Sequence, residues 1–145
     1  MYKRIVLAYD GSTACQQALI ECKELAQWSQ AALWLVAVMS PVSRIIGMEG
    51  GMLTQEVEDF DTEKYRHILK DGLHQLASNG FEAQGELLVG EVVFEVSDFA
   101  QNINADLIVV GHKHLDSWAA RWWRGKTSGA LIEHSPCSVL CVISH

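Results

Sequence analysis

Leu107-Ile108-Val109-Val110-Gly111 is the stretch on which the fold turns. Four apolar residues in a row, three of them β-branched, end at a glycine. The run is too short for a helix and lacks polar alternation, so it predicts a strand buried on both faces. Such strands belong to parallel sheets covered by helices on either side.

The flanks repeat this theme. Upstream, Gly90 opens a segment in which Val92, Val93, Val96, Phe99, Ala100 and Ile103 recur at helical spacing. Before it, Phe81 to Val89 alternates more strongly, as an edge strand does. Residues 54 to 79 predict a long helix with Val57, Phe60, Tyr65, Ile68, Leu69, Leu73 and Leu76 as its apolar stripe, stopped by Asn79-Gly80. Residues 39 to 53 hold Pro41, Gly47, Gly50 and Gly51 and read as a connection. Ala32 to Val38 is another continuous apolar run, and Lys3 to Ala8, apolar after its two basic residues, reads as a third strand, ending at Asp10-Gly11-Ser12. Between those two, Thr13 and Gln16 fit a capping box for a helix reaching about Ser29. Its inner face is Ala18, Leu19, Cys22, Leu25 and Ala26. Downstream of Gly111, residues 112 to 125 read as a loop with local helix. A short helix from Thr127 to His134 stops at Ser135-Pro136, and Ser138 to Ile143 is the last strand.

Strands and helices therefore alternate from end to end. That order predicts one α/β domain over residues 1–145: a doubly wound, five-stranded parallel sheet of order 3-2-1-4-5 with helices on both faces. In such sheets ligands bind beyond the carboxyl ends of the strands, where the order reverses. Here the crevice falls between strands 1 and 4, faced by residues 9–13 and 111–126.

Charge points to the same crevice. The chain carries −7 overall, which argues against nucleic acid as a partner. Yet Lys113, Arg121, Arg124 and Lys126, four of the eleven basic residues, fall within fourteen positions against Asp116 alone. That segment is +3 and the rest −10, the pattern of a small-anion site on an acidic body or of a solvated basic loop. No run of 18 apolar residues predicts a membrane span. The amino-terminal apolar run is too short for a signal peptide, so a cytoplasmic address is expected. The four cysteines lack CxxC spacing. Cys15 and Cys22 stand about 10 Å apart on one helix, too far for a disulfide. They read as buried free thiols.

No catalytic constellation is evident: no G-x-S-x-G elbow, no HExxH, no Walker A glycine spacing. His112-x-His114 lacks further ligands around it, so no protein metal site is expected. What the 111–127 segment does offer is glycines where phosphate chemistry uses them. Gly111 permits a ligand close to the backbone. Gly125 stands before a helix start whose N–H groups can hold phosphate. Trp118 and Trp122 are four residues apart and would share one side of a local helix, capped by Asp116 or Ser117 and ended by Gly125. That Trp118 to Trp123 stretch is either a lid or packing against the body or a partner.

Taken together, Ile5-Val6-Leu7-Ala8-Tyr9-Asp10-Gly11-Ser12, Gly90, Ala105-Asp106-Leu107-Ile108-Val109-Val110-Gly111 and His134-Ser135-Pro136-Cys137-Ser138-Val139-Leu140 resemble the universal stress protein family over essentially the whole chain. The nucleotide-binding branch of that family carries Gly-x2-Gly-x9-Gly-Ser/Thr after the fourth strand. Gly111 matches the first glycine and Gly125 the third. His114 stands at the second, the second gap is ten residues, one longer than the pattern, and Lys126 replaces the hydroxyl residue, with Thr127 next. His114 would take room from phosphates or donate to them, and Lys126 exchanges a neutral donor for a cation. A second branch lacks the glycine pattern and does not bind ATP, and the tryptophan-rich loop is somewhat similar to it.

The resemblance implies that Ala8 and Asp10 lie near the nucleoside and that the Val38 backbone faces adenine. Val110 and Gly111 would line the ribose and phosphate side, while Gly125, Lys126 and Thr127 hold phosphates, with His114 beside them. Asp10 also has a local reading, as a turn residue. The expected ligand is ATP or AMP, with Mg2+ carried only by a bound triphosphate. A homodimer through strand 138–143 is expected because that edge is apolar. The expectation is thus a stress-response regulator that binds an adenine nucleotide with little turnover. The alternatives are a dimeric interaction module without nucleotide, or a slow ATP hydrolase.

Overall fold

The structure is a computed structural model that describes residues 1–39, 53–113 and 127–144. Side chains of residues 53–61, 113 and 127–129 lie outside that description. The elements are β1 (Arg4–Ala8), α1 (Thr13–Ser29), β2 (Ala32–Met39), α2 (Leu53–Ser78), β3 (Gln84–Val89), α3 (Val92–Asn102), β4 (Leu107–Lys113), α4 (Thr127–His134) and β5 (Ser138–Ser144). The five strands form one sheet of order β3-β2-β1-β4-β5, and every pairing is parallel. The expected architecture is the observed one.

Each central strand is buried on both faces, as its unbroken apolar sequence requires. Ile5, Leu7, Leu33, Leu35, Leu107 and Val109 point to one face, where α1 and α2 cover them. Val6, Val36, Ile108 and Val110 point to the other, under α3 and α4. Leu131 of α4 completes that second core. Among the described residues no helix is long and apolar enough to cross a membrane.

The two faces are built from different side chains. The buried face of α1 is Ala14, Cys15, Ala18, Leu19, Cys22 and Ala26, nearly all small. Small residues let the helix axis approach the sheet closely. On α2, Ile68, Leu69, Leu73 and Leu76 are larger, with Gly72 among them.

Some sequence expectations shift by a residue or two. The cap of α1 is Ser12, not Thr13: Ser12 is extended, and its side chain accepts from the Cys15 N–H at 3.3 Å. Gln16 does reach back, but to the Gly11 carbonyl at 3.2 Å. β4 runs two residues past Gly111, because β5 still offers partners there: Gly111 pairs with Val142, His112 with Ile143 and Lys113 with Ser144. Helix α2 stops as expected, with the Phe81 N–H donating to the Leu76 carbonyl at 2.9 Å after the Asn79-Gly80 turn.

Candidate functional site

Parallel register puts the strand ends level. Ala8 of β1 pairs with Val36 of β2 on one side and with Val110 of β4 on the other. Beyond this row the chain leaves β1 through Tyr9 and Asp10 into α1, while β2 and β4 continue. The result is a cleft of about 180 Å3, lined by Ala8, Tyr9, Asp10, Cys15, Val36, Val38, Val92, Val110 and Gly111. It sits at the carboxyl ends of β1, β2 and β4, where the strand order reverses.

Five of the residues singled out from sequence come together here: Ala8, Asp10, Val38, Val110 and Gly111. Thr127 is the first residue of α4. His114, Gly125 and Lys126 lie outside the described residues, as do the tryptophans from Trp118 to Trp123. Four lining residues were not singled out individually, although Tyr9 belongs to the 9–13 loop expected to face the crevice. Val36 was within reach, since strand side chains repeat every two residues and Val38 was already chosen. Cys15 is one turn into α1, and Val92 opens α3 just past Gly90. Tyr9 was passed over because its neighbour Asp10 drew the chemistry.

The polar wall of the cleft is Asp10. Its Oδ1 accepts the Ser12 N–H at 2.8 Å. Partial burial pushes its carboxyl pKa up, but hydrogen bonds from Ser12 and Cys15 outweigh that, and the net direction is below the ordinary value. Asp10 is therefore a fixed negative charge and a hydrogen-bond acceptor. Beside it the Cys15 thiol donates to the Ala8 carbonyl at 3.6 Å. Burial, with Asp10 next to it, pushes that thiol up to about 11. The Tyr9 phenol is shifted upward as well, first by burial and then by the nearby carboxylate of Asp71.

Gly111 has a role that its sequence position did not reveal. A Cβ placed on it would stand 2.4 Å from the carbonyl oxygen of Ala14 and 2.8 Å from the amide nitrogen of Cys15. These are backbone atoms of the first turn of α1 and cannot swing away. The glycine lets α1 lie directly on β4, and that contact places the Asp10 turn over the cleft.

None of the four cysteines forms a disulfide. Cys15 and Cys22 are buried, while Cys137 and Cys141 are only half-buried near the outer strand. Among the described residues no group of three His, Cys, Asp or Glu side chains is placed to hold a metal ion.

Comparison with known proteins follows the fold closely. The sequence profile described as the universal stress protein family matches residues 1–142. A putative universal stress protein of Staphylococcus aureus is 31% identical over 148 residues, covering 97% of this chain and 84% of its own. A crystal structure of a universal stress protein family member from Burkholderia pseudomallei aligns with a TM-score of 0.73 at 26% identity, covering 97% of this chain and 96% of its own. Two other solved structures contain nucleotides. The protein from Archaeoglobus fulgidus is in complex with dAMP (TM-score 0.72, 22% identity, 97% and 98% covered). An Arabidopsis thaliana family protein has AMP bound (TM-score 0.71, 16% identity, 99% and 92% covered).

Proposed function

This chain belongs to the universal stress protein family, and from that premise we propose that it binds an adenine nucleotide, ATP or AMP, in the cleft between β1 and β4 and holds it with little or no turnover. The observation that carries this reading is the cleft itself: apolar walls from Ala8, Val36, Val38 and Val110, one fixed carboxylate from Asp10, and a position at the point of strand-order reversal. At about 180 Å3 it is smaller than the roughly 300–1,000 Å3 of ligand pockets in general. It therefore suits a base and sugar, with the phosphates extending toward the basic 113–126 segment. The AMP and dAMP bound by proteins of the same fold support the same ligand class.

In this reading Ala8, Asp10 and the Val38 backbone face the nucleoside, and Val110 and Gly111 line the ribose. His114, Gly125, Lys126 and Thr127 take the phosphates, and a triphosphate brings its own Mg2+. The titratable side chains around the cleft favour holding over turnover. An aspartate whose pKa is lowered is a weak base, and a thiol at about 11 is almost wholly neutral near pH 7. Calorimetric titration with ATP, AMP and cyclic AMP tests the proposal. Saturable heat with at least one of them is expected. No heat at millimolar ligand would leave the nucleotide-free interaction module as the better account, with His114 and Lys126 marking a closed site.

The reading includes a cytoplasmic homodimer. Strand β5 is at the sheet edge, and Leu140 and Ile143 on it remain 39% and 40% exposed. Pairing that edge across a two-fold axis would cover both. Light scattering at micromolar concentration should give twice the chain mass; a monomer there would rule the dimer out.

A further inference from the structure

None of the described side chains of helix α2 lines the cleft, yet two of its turns press on the loop that carries Asp10. A Cβ on Gly72 would stand 2.7 Å from Cε1 of Tyr9 and 2.9 Å from Cδ2 of Leu35. One turn earlier on the same side of the helix, Ile68 packs over Gly11: a Cβ there would lie 3.1 Å from Ile68 Cγ2. Gly11 also has φ +78°, so its backbone is already committed to a glycine conformation.

A glycine deep inside a 26-residue helix runs against helix propensity, which favours alanine there. The structure shows what the glycine accommodates. Tyr9 is only 3% exposed, and its ring edge occupies the space that a side chain at 72 would fill. At the same residue the Tyr9 N–H donates to the Val36 carbonyl at 2.9 Å, extending the β1–β2 ladder one step past the strand. The ring is thus anchored from below by the sheet and from above by the notch in α2. Asp10 is the next residue.

We propose that Gly72 is a positioning residue for the nucleotide cleft: the notch it leaves in α2 seats the Tyr9 ring, and the seated ring sets where Asp10 and Gly11 stand. This rests on the nucleotide reading of the cleft. It adds that α2, whose amino-terminal end follows the 40–52 segment, bears on affinity without touching ligand. A methyl at 72 pushes the ring and, through one peptide unit, moves the Asp10 turn. The ring has little room to retreat, because it belongs to a close-packed core cluster in which Leu7 and Leu35 are fully buried.

The test is a double-mutant cycle of Gly72→Ala and Tyr9→Leu, read by AMP calorimetry and by the backbone amide resonances of Asp10, Gly11 and Ser12. Gly72→Ala alone is expected to weaken AMP about tenfold, the size of a modest overpacking strain passed to the loop. It should also displace those three amides more than amides at the opposite end of the sheet. In the Tyr9→Leu background the same alanine meets the end of Leu35 but no longer the ring, so it should cost at most about twofold further affinity and move the three amides little. Equal effects of Gly72→Ala in both backgrounds would overturn the proposal, as would unmoved amides. If Gly72→Ala alone does not fold, the comparison of Tyr9→Leu with the double variant decides: a folded double variant supports the seat, and an unfolded one overturns it. Should the wild type bind no nucleotide at all, the amide shifts still test the lever, while the calorimetry separately rejects the nucleotide reading.

Discussion

Strand β1 has an aspartate beyond each of its ends, and the two do opposite things. At the amino end Asp106 accepts the N–H groups of Lys3 at 2.8 Å and Arg4 at 3.1 Å, more than a hundred residues away in sequence. Its own N–H donates to the Arg4 carbonyl at 3.0 Å. Both carboxylate oxygens are used, and β1 is clamped to β4. At the carboxyl end Asp10 accepts one N–H from its near neighbour Ser12 and lines the cleft. The same kind of side chain closes one end of the sheet and lines the open cleft at the other. The difference lies in reach: a long-range partner makes a structural staple, and a local partner makes a preset charge.

That contrast breaks most readily at Gly111, where the open end is held by contact rather than by a clamp. Gly111→Ala should destabilise the fold by about 3 kcal/mol or more, because the new methyl meets the rigid Ala14 carbonyl. Urea unfolding reads the loss, and AMP affinity should fall with it as α1 shifts. Next in size is the staple. Asp106→Ala removes two bonds to a charged acceptor and should cost about 2 kcal/mol by urea unfolding while changing AMP affinity less than about twofold. Asp10→Ala should do the reverse: about tenfold weaker AMP in calorimetry and at most about 1 kcal/mol of stability. If both aspartates moved stability and affinity together, the division of labour would not hold.

Acid sharpens the point. The folded Asp10 pKa is lowered, so its contribution to stability is complete above its ordinary value of 3.8. It disappears as pH falls through the lower folded value. The stability gap between wild type and Asp10→Asn should therefore stay constant from pH 8 to about 5 and close only below about 4. The smallest effect is chemical. With thiols pushed up to about 11 and about 12, Cys15 and Cys22 expose under about one part in a hundred thiolate at pH 8. Iodoacetamide should label the half-buried Cys137 and Cys141 first, as peptide mass mapping would show.

The fold was almost fully legible from pattern. Unbroken apolar runs at Ile5–Ala8, Ala32–Val38 and Leu107–Val110 pointed to doubly covered strands, and their alternation with helices left few topologies. The site was half legible. Register alone levels Ala8, Val36 and Val110, so the cleft floor follows once the strand order is known. Gly111 was chosen for ligand approach, whereas the structure shows that it also makes room for Ala14. Gly72 gave no signal, because a glycine in a helix has no periodicity, and its reason is the ring of Tyr9 from an element 63 residues away. Close packing between distant segments is what local sequence patterns do not carry.

The most direct test of the nucleotide cleft is a crystal structure grown with AMP. The purine and ribose are expected against Ala8, Asp10, Val38 and Val110, with the phosphate toward Gly125 and Lys126. A cleft filled instead by His114 or Trp122 at millimolar AMP would contradict the account.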